Sequence, residues 1–502
     1  MIDSLPLIFL ITLVICYFTY KYYIYPLYFS PLCKIPGPPP DHFLLGNLMQ
    51  IIKSDVGIPH IAWAEKYGSI VMYRGLLNKP RIFITDSKAL QHVMASSVYD
   101  YPKPPGFIGD LKPLLGSGIL LAEGDTHKRQ RKMMNPAFSF TNVKEMIPTF
   151  AKVVHIMKDL WIKEIGDNEK SQIDIMPYLS KATLDVIGLV GFNYEFNSLT
   201  TKNELAEAYT MVFTPENRRN TLLRIMSNYI PFFNKLPIKF NIRTKEAARI
   251  IDQVSNKLVT EKLDKAKLGE LEGNDLLTIL IKQNEQTDVK EDKMTKHELK
   301  NQIMTFLAAG HETTSVAVGW ALYFLSKNIE VQNTLRNELL EAFPYKDFIP
   351  TFDQINSLEF LNCVVKETLR INPAVPMTIR TAKNDDTING YMIPKGTPVF
   401  LFINTIHRLP SIWGSDASTF KPSRWLDPNL ASIQTNYTYI PFLTGPRSCI
   451  GNKLALNEIK VMLAILIRNF KFTEIDGFEV KSKLAISLRP DPTIKLWVEK
   501  LI

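Results

Sequence analysis

Cysteine is scarce in this chain: four residues, Cys16, Cys33, Cys363 and Cys449, are scattered over 502 positions. That excludes a disulfide framework and fits a body facing a reducing compartment. Runs of like charge are missing too. The net charge of +9 is spread along the chain, so a lipid surface or an acidic partner is expected, and nucleic acid is not. No zinc-finger or RNA-binding signature, internal repeat or low-complexity tract interrupts it, which excludes solenoid and disordered classes. What is present is apolar material: 46% of residues are hydrophobic, enough for a large core. The stretch 257–293, dense in Lys, Glu and Asp, reads as solvated helix faces and a loop.

One long apolar run stands out. Leu5 to Tyr20 carries no charge, and apolar and aromatic character resumes after Lys21 through Phe29. This is long enough to cross a bilayer if Lys21 snorkels. Asp3 precedes the run while Lys21 and Lys34 follow it, so the positive-inside bias predicts a single span with the body in the cytosol. A cleaved secretory peptide is the rival, without the basic start or the small-residue cleavage site. Next, Ile35-Pro36-Gly37-Pro38-Pro39-Pro40 predicts an extended, semi-rigid hinge. The expected division is an anchor and stem over 1–34 and a catalytic body over 35–502.

The body reads as mainly α with a minor β-sheet region. Short β-rich runs (Ser69 to Tyr73, Arg81 to Thr85) accompany a helix from Pro59 to Tyr67, after which helix dominates to about 372. Ile388-Asn389-Gly390-Tyr391 predicts a hairpin turn and 397–406 a buried strand. Thr295-x-x-Glu298 is a capping box that opens a helix of about 30 residues, or ~45 Å. In its middle, Ala309-Gly310-His311-Glu312-Thr313-Thr314 weakens an otherwise strong pattern. A Thr313 hydroxyl bonded to the Ala309 carbonyl would bend the helix and open a polar groove. Glu367 and Arg370 stand three apart on one helix face, which alone describes an exposed pair worth ~0.3 kcal/mol.

Cys449 lies in Phe442-Leu443-Thr444-Gly445-Pro446-Arg447-Ser448-Cys449-Ile450-Gly451, just before a periodic helix from Leu454 to Phe470. A helix start offers the positive dipole end and amide donors that stabilise a thiolate. One cysteine without Cys or His neighbours cannot build a zinc or iron–sulfur site. The string Phe442-x-x-Gly445-x-Arg447-x-Cys449-x-Gly451 resembles the signature of the cytochrome P-450 family. So does Ala309-Gly310-His311-Glu312-Thr313-Thr314 resemble the family's oxygen-side motif. Glu367-x-x-Arg370 followed by Phe420-x-Pro422-x-Arg424-Trp425, and Gly124 to Arg131 with His127 where Trp is usual, complete the family's order of landmarks.

The resemblance implies the cytochrome P-450 fold and haem b with Cys449 as axial thiolate, a ligation that pushes electron density toward O–O cleavage. It implies that Phe442 covers the sulfur, that His127, Arg131, Arg380 and Arg447 face haem propionates, and that Ala309 and Gly310 bring the helix backbone close to the haem. Glu312 and Thr313 map to the acid and the hydroxyl of the proton relay to dioxygen, and Glu367, Arg370 and Arg424 to a buried structural triad. By the same analogy, a pocket lined from Tyr101 to Ile119, from Phe306 to Ala309, from Ala374 to Thr378 and near Ile486 takes a lipophilic substrate, such as a fatty acid, other lipid or xenobiotic. The implied activity is monooxygenation with electrons from NADPH through NADPH–cytochrome P-450 reductase, with cytochrome b5 as a further partner, at the endoplasmic reticulum membrane. Lys128, Lys132 and Lys453 would form a basic patch for the donor. Tyr229 to Leu236 would either dip into the bilayer surface or pack internally. A haem-thiolate isomerase or dehydratase acting on hydroperoxides without external electrons, and a non-catalytic haem binder, stay open as alternatives.

Overall fold

The computed structural model describes residues 5–213, 239–430 and 435–501; Tyr229 to Leu236 therefore lie outside the described residues. The packing divides the chain into two units. The first comprises Met1–Pro104, Met377–Ser418 and Ile433–Ser448. Its N-terminal helix, Leu5–Thr19, continues as a wider π-type coil over Tyr20–Phe29. Side chains from Ile8 to Phe18 along it are exposed apolar groups. The proline stretch that follows is extended but held in place: the Met72 amide donates to the Pro36 carbonyl at 3.0 Å, and the Asn47 side-chain amide donates to the Pro39 carbonyl at 2.7 Å. The expected hinge is thus pinned to the first strand of the sheet.

That sheet has four strands in the spatial order Ile70–Arg74, Pro80–Ile84, Pro398–Phe402, Met377–Thr381. The outer pairs are antiparallel and the central pair is parallel. Both faces are apolar: Ile82, Ile84, Val399 and Leu401 pack with Leu90 and Val93, while Phe83, Phe400 and Phe402 pack with Trp63 and Tyr73. A hairpin of Asp386–Ile388 and Tyr391–Ile393 turns on Asn389 and Gly390, both at positive φ, as an Asn-Gly turn requires. The expected strand 397–406 stops at Phe402 and becomes a helical turn, Ile403–Ile406. A fully buried apolar run fits either element by periodicity. Here the Asn404 side chain donates to the Val56 carbonyl at 3.0 Å and fastens the turn.

The second unit comprises Pro105–Pro376, Thr419–Ser432 and Cys449–Ile502 and is mostly helical. Its centre is Lys296–Lys327, opened by the Thr295/Glu298 capping box. The buried helix Ile175–Phe192 packs along it; this second segment is long and apolar enough to cross a membrane, but it is mostly buried and forms core. Helices Phe140–Ile165, Glu359–Ile371 and Asn452–Asn469 complete the scaffold. A three-stranded sheet in the order Lys170–Asp174, Lys495–Lys500, Phe470–Thr473 joins distant parts of the chain.

Candidate functional site

The first unit holds the loop that leads to Cys449. The His407 ring accepts from the Ile440 amide at 2.8 Å, and Leu443 donates to the Ile440 carbonyl at 3.0 Å. Gly445 has φ +73, and a Cβ there would meet the Met94 carbonyl oxygen at 2.3 Å, so only glycine fits. A 3-10 turn over Gly445–Arg447 follows. Arg447 is buried, with its guanidinium 5.4 Å from the Tyr99 ring centre, and Phe442 is half-buried. On the strand Met377–Thr381, Arg380 is buried and donates from Nη1 to Thr378 Oγ1 at 2.6 Å and the Ile379 carbonyl at 2.9 Å. Tyr101 donates to Asp386 Oδ2 at 2.7 Å. Its hydroxyl is thereby committed to the hairpin.

Cys449 belongs to the second unit, and its side chain is accessible to solvent although protein atoms surround it on most sides. The helix-start argument predicts a lowered thiol pKa, whereas here partial loss of water around the sulfur raises it, against the Gly451 amide and the charge of Arg131. Desolvation outweighs one amide and one cation; a coordinated metal ion would reverse that balance by deprotonating the thiol outright. Arg131 donates from Nε to Asn135 Oδ1 at 3.0 Å. His127, one turn earlier on the helix Gly124–Met134, is buried. Lys128 is paired with Asp125 at 2.9 Å, which offsets one charge of the expected basic patch.

Across 301–320 every residue is buried except Ala309, Gly310 and Thr313, which share one side of the helix. This accessible spot lies in the same unit as the exposed thiol. Thr313 donates to the Ala309 carbonyl at 2.8 Å, the bond its spacing predicts. A Cβ on Gly310 would come within 3.0 Å of Ile187, so the glycine also permits the close packing of the neighbouring helix.

Glu312 is not part of that accessible spot. It is 2% exposed, accepts from Ser487 Oγ at 2.5 Å and from Arg489 Nε at 2.6 Å, and receives a second bond from Arg489 Nη2. Neither Ser487 nor Arg489 carries a local motif, which is why sequence reasoning missed both. His311 is buried against Tyr209, its ring centre 4.5 Å away, and burial lowers its pKa, which keeps it neutral. Glu458 is likewise buried; loss of water raises its pKa well above the usual carboxyl range, with the Thr314 hydrogen bond opposing.

Glu367 and Arg370 are 0% exposed and Arg424 is 8% exposed, which excludes the exposed-pair reading. Arg370 donates from Nε to Glu367 Oε2 at 2.8 Å and from Nη2 to Oε1 at 2.9 Å. Arg424 Nε reaches Oε1 at 3.3 Å. The Trp425 indole and the Lys421 amide, each at 2.9 Å, complete the shell around one carboxylate.

Among the described residues no group of three His, Cys, Asp or Glu could hold a metal ion, so a protein-built zinc or cluster site is absent there. Within the second unit, an exposed thiol and an accessible small-residue spot on a buried helix fit a prosthetic group needing one protein ligand.

The family model for cytochrome P-450 matches residues 36–497. The chain is 37% identical to cytochrome P-450 monooxygenase 205 of Postia placenta, over 92% of this chain and 90% of that one. It is 34% identical to cytochrome P-450 monooxygenase sphH of Aspergillus fumigatus, over 95% and 88% respectively. With cytochrome P-450 monooxygenase FUM15 of Gibberella moniliformis the identity is 32%, over 96% and 90%.

Proposed function

Because the chain belongs to the cytochrome P-450 family of haem-thiolate monooxygenases, we propose that it inserts one oxygen atom from O₂ into a lipophilic substrate, using NADPH electrons delivered by NADPH–cytochrome P-450 reductase. The observation that carries this reading is that the exposed Cys449 thiol and the accessible Ala309–Gly310–Thr313 spot belong to one unit. Cys449 would hold the haem, Arg131, His127, Arg380 and Arg447 would bind its propionates, and the haem would supply the one-electron and O₂ chemistry. The protein's part is positioning and proton supply. Ala309 and Gly310 present no bulk on that side of the helix, and Thr313 presents a hydroxyl anchored by the Ala309 carbonyl.

Glu312 acts at one remove. Its carboxylate is held by Arg489 and Ser487, so moving a proton toward Thr313 requires exchanging one of these bonds for water, and Arg489 sets how readily that happens. Thr313→Ala is expected to keep the haem spectrum and NADPH consumption while product per NADPH falls by about tenfold or more and hydrogen peroxide rises, because the positioned proton is lost. Parallel assays of NADPH, product and peroxide check this. Tight coupling in the variant would contradict the role of Thr313.

The exposed apolar helix Leu5–Thr19 supports a single-pass anchor in the endoplasmic reticulum membrane, with the body from residue 35 in the cytosol. Removing residues 1–34 should move most of the protein from the membrane pellet to the soluble fraction on centrifugation; full retention in the pellet would contradict the anchor. Cytochrome b5 is a second electron donor compatible with this placement.

A further inference from the structure

Near the accessible spot, the helix Lys296–Lys327 carries more donors than its backbone needs. A helical carbonyl ordinarily accepts one amide, from four residues on. Here His311 also donates from Nδ1 to the Leu307 carbonyl at 2.6 Å, Thr313 from Oγ1 to that of Ala309 at 2.8 Å, and Ser315 from Oγ to that of Glu312 at 3.0 Å. Side-chain bonds of this kind loosen and bend a helix. All three are internal to it. A fourth comes from outside: Thr183, on the helix Ile175–Phe192, donates from Oγ1 to the His311 carbonyl at 2.9 Å.

Thr183 is 0% exposed and has one hydroxyl proton to donate. Two carbonyls of its own helix lie within reach, Leu179 at 3.0 Å and Ser180 at 3.2 Å. The hydroxyl therefore needs no outside partner, and yet it lies closest to His311. Ile187, four residues further, shares that face of the helix, and it is the side chain that a Cβ on Gly310 would meet. Two consecutive residues of the motif, Gly310 and His311, are thus braced by one neighbouring helix, the first by shape and the second by a hydrogen bond. The His311 carbonyl and the Glu312 nitrogen form one planar peptide unit. Whatever holds that carbonyl sets the direction in which the side chains of Glu312 and then Thr313 leave the helix.

We propose that Thr183 is a positioning residue for the proton relay: its hydroxyl pins the His311–Glu312 peptide, so that the Glu312 carboxylate stays with Ser487 and Arg489 while the Thr313 hydroxyl stays at the accessible spot. Among the described residues no hydrogen bond joins Thr183 to either group, so it acts through the peptide alone. The proposal rests on the reading of Glu312 and Thr313 as that relay.

The test compares full-length holoenzymes, each first shown to keep the dithionite-reduced carbon monoxide spectrum. Wild type is set beside Thr183→Val, which removes the hydroxyl at nearly constant shape, Thr183→Ser, which keeps it, Thr313→Ala, and Thr183→Val combined with Thr313→Ala. Thr183→Ala takes the place of Thr183→Val if the latter does not load haem. One readout is deuterium exchange of peptides covering 309–316, which needs no turnover. The other is hydrogen peroxide formed per NADPH with the reductase, using dodecanoic acid as the lipophilic probe. Thr183→Val is expected to speed exchange about fivefold, as loss of one buried hydrogen bond should, and to raise the peroxide fraction several-fold. Thr183→Ser should stay close to wild type in both. On the Thr313→Ala background the valine should still speed exchange but add nothing to the peroxide fraction, because both residues serve one relay. Unchanged exchange in Thr183→Val would overturn the hold on the peptide. Faster exchange with an unchanged peroxide fraction, or a rise that adds to that of Thr313→Ala, would reduce Thr183 to a packing contact and overturn its positioning role. Failure of wild type to consume NADPH with the reductase would overturn the monooxygenase reading, and the relay with it, while the exchange result still decides whether Thr183 holds the peptide.

Discussion

Cys449→Ala is expected to abolish the thiolate-type haem spectrum and reduce monooxygenation to background while leaving the fold intact. The side chain is exposed, so losing its sulfur removes little packing, and the loop before it is held by contacts that do not involve the thiol: the His407–Ile440 bond and the close fit of Gly445 on Met94. Of the other cysteines, Cys363 is buried in the helix Glu359–Ile371, Cys16 lies on the apolar helix Leu5–Thr19 and Cys33 in the turn Pro31–Lys34. The check pairs the carbon monoxide difference spectrum with far-ultraviolet circular dichroism: the variant should keep its helix signal and lose the thiolate band. A variant that keeps both, with activity, would remove Cys449 from the site.

Glu367→Ala has the largest expected effect on stability. One carboxylate serves two buried guanidinia, an indole N–H and a backbone amide; deleting it leaves Arg370 and Arg424 charged in an interior that cannot solvate them. Breaking such a network by removing one partner costs ~3–5 kcal/mol, a large share of the ~5–15 kcal/mol by which proteins are stable. The expected outcome is a sharply lower yield of haem-loaded protein and a depressed melting temperature. Glu367→Gln, which keeps an acceptor but not the charge, should fall between alanine and wild type. A loss under about 1 kcal/mol in Glu367→Ala would mean that the triad is not a unit.

Local signals made the scaffold legible. The capping box at Thr295, the Asn389-Gly390 turn and the Thr313–Ala309 bond each depend on residues within four positions of one another, so spacing alone predicts them. Partners far apart in the chain were not legible. Arg489 reaches Glu312 across 177 positions, and Lys170–Asp174 becomes a strand only because Lys495–Lys500 lies beside it. Nor does spacing report burial. The same three-residue separation describes an exposed Glu–Arg pair and the wholly buried Glu367–Arg370, and the order of motifs, not the pair, pointed to the second. Loss of water around an accessible sulfur likewise escapes the sequence at Cys449, where the dipole argument gave the direction of one contribution and desolvation set the sum.

The central claim is that Cys449 binds haem through its thiolate, and the most direct test is the carbon monoxide difference spectrum of the dithionite-reduced full-length protein. A strongly red-shifted Soret band, lost in Cys449→Ala, is the expected result. A band at the position of histidine-ligated haem in folded protein, or a red-shifted band that survives the substitution, would contradict it.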